Sequence, residues 1–148
     1  MNEMSPIEIL LVEDSQDDLD MTLRALHKVN LANHIQVARD GAEALEFIFC
    51  QGAYTERHIE NGPKVVLLDL KLPKVDGMEV LKRIKSDPRT MNIPVVMLTS
   101  SNEQKDIIES YNLGVNSYIV KPVNFEGFPA AVQGLGMYWL LLNQSPIR

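Results

Sequence analysis

Four short apolar runs stand out along the chain, and each stops on polar residues. Ile9-Leu10-Leu11-Val12 stops at Glu13-Asp14, and Val65-Val66-Leu67-Leu68 stops at Asp69. Val95-Val96-Met97-Leu98 stops at Thr99, and Tyr118-Ile119-Val120 stops at Lys121-Pro122. Unbroken β-branched and aliphatic runs of this length fit strands covered on both faces, as in a parallel sheet. The strands predicted are residues 8–12, 35–38, 65–69, 95–98 and 117–120. The second of these is bordered by Asn33, His34, Arg39 and Asp40, which suits an edge.

Between the runs the apolar period lengthens to that of a helix. After Ser15, a candidate N-cap, Leu19, Leu23, Leu26 and Asn30 follow helical spacing, with Thr22 and Val29 widening the stripe. Residues 41–50 carry Ala44, Leu45, Ile48 and Phe49 on one face. Residues 77–86 carry Val80, Leu81 and Ile84 and stop before Pro88. Ser101-Asn102-Glu103-Gln104 has capping-box spacing and opens a helix over 102–113 that ends near Gly114. Asn124 is a candidate cap for a last helix, with Pro129 near its first turn. Strands alternating with helices predict βαβ units and the α/β class. The polar stretch 51–62 is longer than the usual connection. It reads as a surface insertion or, more sharply, as a partner-contact loop.

Composition narrows the class. The 148 residues leave room for one domain with a real core, expected over 6–142 with a tail at 143–148. A net charge of −6 argues against a nucleic-acid partner, which wants a basic face, and against an anionic membrane surface. The N-terminus lacks the basic start of a signal peptide, and the uncharged stretch 127–147 is interrupted by Pro129, Gly134 and Gly136, so no membrane span is expected. Cys50 stands alone, which excludes a disulfide framework and fits a reducing cytoplasm. His27, His34 and His58 have no ligand spacing.

In an open α/β sheet, ligands bind at the carboxyl ends of the strands. Glu13, Asp14, Asp69, Thr99 and Lys121 are therefore expected to converge on one pocket. Mg²⁺ takes oxygen ligands, typically one or two carboxylates with waters and phosphates. Asp14 and Asp69 supply the carboxylates, Glu13 reaches the metal through water, and a carbonyl just past Asp69 adds a further oxygen. Asp69 at the centre is a candidate nucleophile toward phosphorus. Lys121 offers a fixed positive charge and Thr99 a hydroxyl donor. An Asp at a strand end alone is often a helix cap, and a Lys-Pro pair alone is often a turn. The joint pattern is what points to phosphoryl chemistry.

Leu11-Val12-Glu13-Asp14-Ser15, the run from Leu67 to Gly77 through Asp69-Leu70-Lys71-Leu72-Pro73, Met97-Leu98-Thr99-Ser100 and Tyr118-Ile119-Val120-Lys121-Pro122 together resemble the receiver domain of two-component response regulators, over residues 6–142. The resemblance implies a doubly wound, flavodoxin-like five-stranded parallel sheet of order 2-1-3-4-5. It implies Asp69 as phosphoacceptor, Glu13 and Asp14 as the acidic pair, and Lys71 lending its backbone carbonyl to Mg²⁺ or Mn²⁺. Lys121 would bind the phosphoryl group, Thr99 and Tyr118 would form the switch, and the Lys121–Pro122 bond would be cis. The partner implied is a sensor histidine kinase. The loop before Pro63, the turn over 72–77 and the helix bearing Trp139 are further similar to stand-alone regulators of cyanobacterial phytochrome kinases.

Phosphorylating Asp69 adds roughly 1.5 to 2 negative charges. Thr99 is expected to move to the new oxygens, and Tyr118 to turn into the space it leaves. The Lys71 ammonium is expected either to be merely solvated or to shield the acyl phosphate. Residues 127–142 carry no charge, and Phe128, Val132, Leu135, Trp139 and Leu142 fill one face while Ala131, Met137, Tyr138, Leu140 and Leu141 fill others. A helix apolar all round should be buried all round, which predicts a homodimer through this helix and the neighbouring strand and helix. The alternative is a monomer whose helix is covered by the tail or by a kinase. Two rival functions remain open at this point. One is an aspartyl-phosphate phosphohydrolase, disfavoured because Lys71 stands where a second acid is expected. The other is a pseudo-receiver that works without phosphorylation, disfavoured because no chemical position is missing.

Overall fold

A computed structural model of the chain describes residues 9–28 and 34–121. In chain order the elements are β1 (Ile9–Val12), α1 (Gln16–Lys28), β2 (Ile35–Ala38), α2 (Gly41–Ile48), β3 (Val65–Leu68), α3 (Gly77–Ser86), β4 (Val95–Thr99), α4 (Gln104–Asn112) and β5 (Ser117–Val120). Two single 3₁₀ turns, Gly52–Tyr54 and Ile59–Asn61, lie between α2 and β3. The strands form one parallel sheet of order β2-β1-β3-β4-β5, the flavodoxin-like arrangement expected. The expected last helix, the tail, the domain limits at 6 and 142, and the Lys121–Pro122 bond lie outside the described residues.

The alternation of side chains along each strand divides the core in two. Leu10, Val12, Val66, Leu68, Val95 and Met97 pack on the face that meets α2 and α3. Ile9, Leu11, Val65, Leu67, Val96 and Leu98 pack on the other face with Leu19, Ala25 and Leu26 of α1. Val12 is paired with both Ala38 and Leu68, so the residues following β1, β2 and β3 emerge level with one another. The order reverses at β1 and β3, and the crevice there belongs to the carboxyl edge. At the opposite edge the half-buried Lys85 ammonium donates to Met91 O at 3.1 Å, Ile93 O at 2.7 Å and Asn116 Oδ1 at 3.1 Å.

Several boundaries differ from expectation for local reasons. β3 ends at Leu68, which leaves Asp69 just past the strand, while β4 continues through Thr99. α2 stops at Ile48, short of Cys50, because Cys50 takes the left-handed region at φ 58°. Cys50 N then bonds Phe47 O at 3.4 Å and Gln51 N bonds Glu46 O at 2.8 Å, a Schellman closure around a non-glycine residue. α4 starts at Gln104 and has no side-chain cap. The Ser101 hydroxyl, expected to cap it, donates to Asp106 Oδ2 at 2.6 Å.

The 51–62 stretch is pinned to the body of the fold. Phe47 lies off the stripe read from the sequence, yet it is buried because this stretch covers it. Tyr54 meets its ring edge-on at 5.1 Å between centroids, and the Arg57 guanidinium lies 3.8 Å over the ring centroid. Arg57 also donates to Phe47 O and to Asn61 O.

Candidate functional site

Four of the five strand ends deliver polar groups to the same place. β1 delivers Glu13 and Asp14, β3 delivers Asp69, β4 ends on Thr99, and β5 leads into Lys121. Carboxylate oxygens of Glu13, Asp14 and Asp69 lie within 4.8 Å of one another, the expected acid cluster. Glu13 is buried, Asp69 is buried, and Asp14 is exposed at the mouth. Three carboxylates this close repel one another unless a cation sits among them. The donor set is all oxygen, which fits a hard divalent cation.

Lys121 supplies a resident positive charge. Its ammonium lies 2.9 Å from Glu13 Oε1, 2.9 Å from Asp18 Oδ2 and 3.6 Å from Asp69 Oδ2. Burial works against its charge, but the bonds to Asp18 and Glu13 and the charge of Asp69 outweigh it, and its pKa lies above the ordinary lysine value. Burial pushes the Glu13 carboxyl up to about 7; the Lys121 hydrogen bond partly offsets this and the Asp69 charge adds to it. Asp18 explains how both groups can be raised together, because it keeps Lys121 charged when Glu13 takes a proton. The sequence reading did not single out Asp18. Its only trace there is a place in the acidic first turn of α1, where a negative charge suits a helix N-terminus anyway.

Thr99 and Tyr118 are joined through one residue. Ser101 N donates to Thr99 Oγ1 at 3.3 Å, and the Tyr118 hydroxyl donates to Ser101 O at 2.9 Å. Thr99 is fully buried and Tyr118 half-buried, and burial raises the Tyr118 pKa against the opposing hydrogen bond to Ser101. Any movement of Thr99 therefore bears on the segment that holds the Tyr118 hydroxyl.

The loop after Asp69 is set by backbone contact. Gly77 N donates to Leu70 O at 2.8 Å, and a Cβ on Gly77 would lie 2.2 Å from Asp69 O. Lys74 takes φ 68°, with Val75 N bonded to Pro73 O at 2.7 Å, a γ-turn. Lys71 is exposed and, with Asp14, Pro73, Asp76 and Asp106, borders an open cavity of about 560 Å³ beside the acid cluster.

The family model described as response regulator receiver domain matches residues 9–133. Response regulator Rcp1 of Synechocystis sp. is 42% identical over 137 residues, covering 91% of this chain and 90% of its own. The crystal structure of the Mn²⁺-bound form of response regulator Rcp1 aligns at 41% identity with a TM-score of 0.79, covering 91% of this chain and 95% of that one. The bacteriophytochrome response regulator RtBRR aligns at 52% identity and TM-score 0.77, over 89% of this chain and 79% of that one. The phosphorylated cyanobacterial phytochrome response regulator RcpA aligns at 40% identity and TM-score 0.81, over 92% and 95% respectively.

Proposed function

The chain belongs to the response regulator receiver domain family, and from that premise we propose that Asp69 accepts a phosphoryl group from the phosphohistidine of a sensor kinase. The observation that carries this reading is the Asp69 carboxylate with an ammonium 3.6 Å away and two further carboxylates whose oxygens fall within 4.8 Å. Asp69 is the nucleophile, and the imidazole of the donor is the leaving group. Glu13, Asp14 and Asp69, with the Lys71 carbonyl, would hold Mg²⁺ or Mn²⁺. Such a cation, when bound, neutralises charge on the phosphoryl oxygens. Lys121 leaves Asp18 or Glu13 to meet the new oxygens. Thr99 releases Ser101 N and donates its hydroxyl to the phosphoryl group, and the segment holding Tyr118 shifts with it.

The partner we propose is a phytochrome-type histidine kinase in the cytoplasm, supported by the names of the relatives RtBRR and RcpA. Output passes through protein contacts, and the uncharged 127–142 stretch is proposed as a homodimer surface. The chain acts as a phosphoacceptor whose chemistry is limited to its own phosphorylation and dephosphorylation. Phosphotransfer from candidate kinases to wild type and Asp69→Asn, with sedimentation in parallel, tests these statements. We expect one phosphoryl group per chain, lost in Asp69→Asn. Continuous turnover of acetyl phosphate would instead favour the phosphohydrolase, and a monomer before and after phosphorylation would refute the dimer.

A further inference from the structure

β1 and β2 pair as far as Val12 and Ala38, and Glu13 N still reaches Ala38 O at 3.0 Å. The next carbonyls, of Glu13 and Asp14, lie beyond the last paired residue of β2. The side chain of Arg39 takes over there. Its Nε donates to Glu13 O at 3.2 Å, its Nη2 to Asp14 O at 3.0 Å, and its Nη1 to Gln16 Oε1 at 3.2 Å. A planar guanidinium can serve two successive carbonyls in one fixed geometry.

Arg39 is itself held from behind. Glu43 Oε1 accepts from Arg39 N at 3.0 Å, and Glu43 Oε2 accepts the Tyr54 hydroxyl at 3.0 Å. Its neighbours brace the other loop. Asp40 caps α2 through Glu43 N at 2.7 Å and meets Lys74 Nζ at 3.6 Å, while Gly41 N donates to Pro73 O at 3.2 Å. Three consecutive residues after the edge strand thus hold both loops that carry the acid cluster.

We propose that Arg39 is a positioning residue for cation binding. It fixes the Glu13–Asp14 main chain so that their carboxylates keep the spacing a divalent cation requires. The proposal rests on the reading of Glu13, Asp14 and Asp69 as the cation site. Arg39 acts through carbonyls and touches neither the cation nor the phosphoryl group. A purely architectural arginine would change stability and leave metal affinity alone.

The test is calorimetric titration of metal-free protein with Mg²⁺, for wild type, Arg39→Ala, Arg39→Lys and Asp14→Asn, with urea unfolding in chelator alongside. Arg39→Ala should bind Mg²⁺ about 10- to 100-fold more weakly, as removal of an outer partner of a metal ligand commonly does. Arg39→Lys should recover part of the loss, since an ammonium offers no planar fork. Phosphorylation by acetyl phosphate should return to near the wild-type rate at saturating Mg²⁺. Wild-type Mg²⁺ affinity in Arg39→Ala overturns the proposal, whatever its stability. Should Arg39→Ala not fold, Arg39→Lys decides: unfolding cooperatively with wild-type Mg²⁺ affinity, it refutes the two-carbonyl clamp. If wild type and Asp14→Asn bind Mg²⁺ alike, the cation-site reading falls too. If only Asp14→Asn loses Mg²⁺, the positioning role alone falls.

Discussion

Gly77→Ala probes the wall on which the phosphoacceptor rests. An alanine Cβ would lie 2.2 Å from Asp69 O, 2.6 Å from Leu70 O and 2.8 Å from Leu70 Cα. Real Cβ atoms stay at least 3.0 Å from such neighbours, so the loop and α3 must part by about 0.8 Å. Every atom met is backbone, and no side chain can swing aside. Overpacking of this kind costs about 1–3 kcal/mol. Alanine offsets about 0.4–1 kcal/mol of that by restricting the unfolded chain. The net loss of about 1–2 kcal/mol corresponds to a fall in Tm of about 2–8 °C for a domain of this size. Thermal unfolding by circular dichroism reads the stability, and acetyl phosphate labelling reads the site. The labelling rate should fall as well, because the displaced carbonyl belongs to Asp69 itself. Gly62→Ala is the control, since its Cβ meets only Ile93 Cδ1 at 3.3 Å and Ile59 O at 3.5 Å. A Gly77→Ala protein as stable as Gly62→Ala, with an unchanged labelling rate, would refute the close-packed wall.

Other expectations concern charge and the surface loop. Glu13 has its folded pKa raised to about 7, above the unfolded 4.5, so its proton stabilises the metal-free fold fully below that lower value and is lost as pH rises through 7. Metal-free stability should therefore decline between pH 5 and pH 8 by up to about 1 kcal/mol per pH unit, while Mg²⁺ affinity rises; equal slopes in wild type and Glu13→Gln by urea titration would exclude this. Lys71→Asn should shorten the phosphoryl lifetime if the ammonium beside the cavity shields the acyl phosphate, and an unchanged half-life sinks that idea. Arg57→Ala removes the guanidinium over Phe47 and its bonds to two carbonyls, so it should cost about 1–3 kcal/mol and open 51–62 to proteolysis; resistance equal to wild type would mean the loop is held otherwise.

Four of the five strands were legible because one rule covers them: a short apolar run closed by a polar group; the strand order came from the resemblance, since no local pattern encodes it. The acid cluster, Thr99 and Lys121 followed from the same punctuation. The two Schellman closures show where that legibility stops. At the end of α4, Gly114 N bonds Tyr111 O at 3.1 Å and Val115 N bonds Ser110 O at 3.0 Å, and Gly114, at φ 102°, announces the stop in the sequence. At the end of α2, Cys50 takes φ 58° with nothing in its side chain to announce it. Phe47 was missed because burial there comes from residues 51–62, whose hold on the fold depends on Tyr54 and Arg57 finding one ring. Asp18 and Arg39 were missed for a related reason. Each acts on a strand end far away in sequence, through contacts that local periodicity does not encode.

A lysine stands at each edge of the sheet, and the two live in different chemical company. Lys121 faces carboxylates, partners that titrate, attract metals and, in Asp69, are proposed to change covalently. Lys85 faces two main-chain carbonyls and one amide oxygen, which do none of these things, and Asn116 Oδ1 also accepts Val95 N at 2.8 Å. The carboxyl edge is therefore open to renegotiation by acid, salt and phosphate, while the amino edge is riveted by bonds indifferent to all three. The sheet has a working end and an anchored end, and displacement begun at Asp69 meets a fixed foundation on the far side.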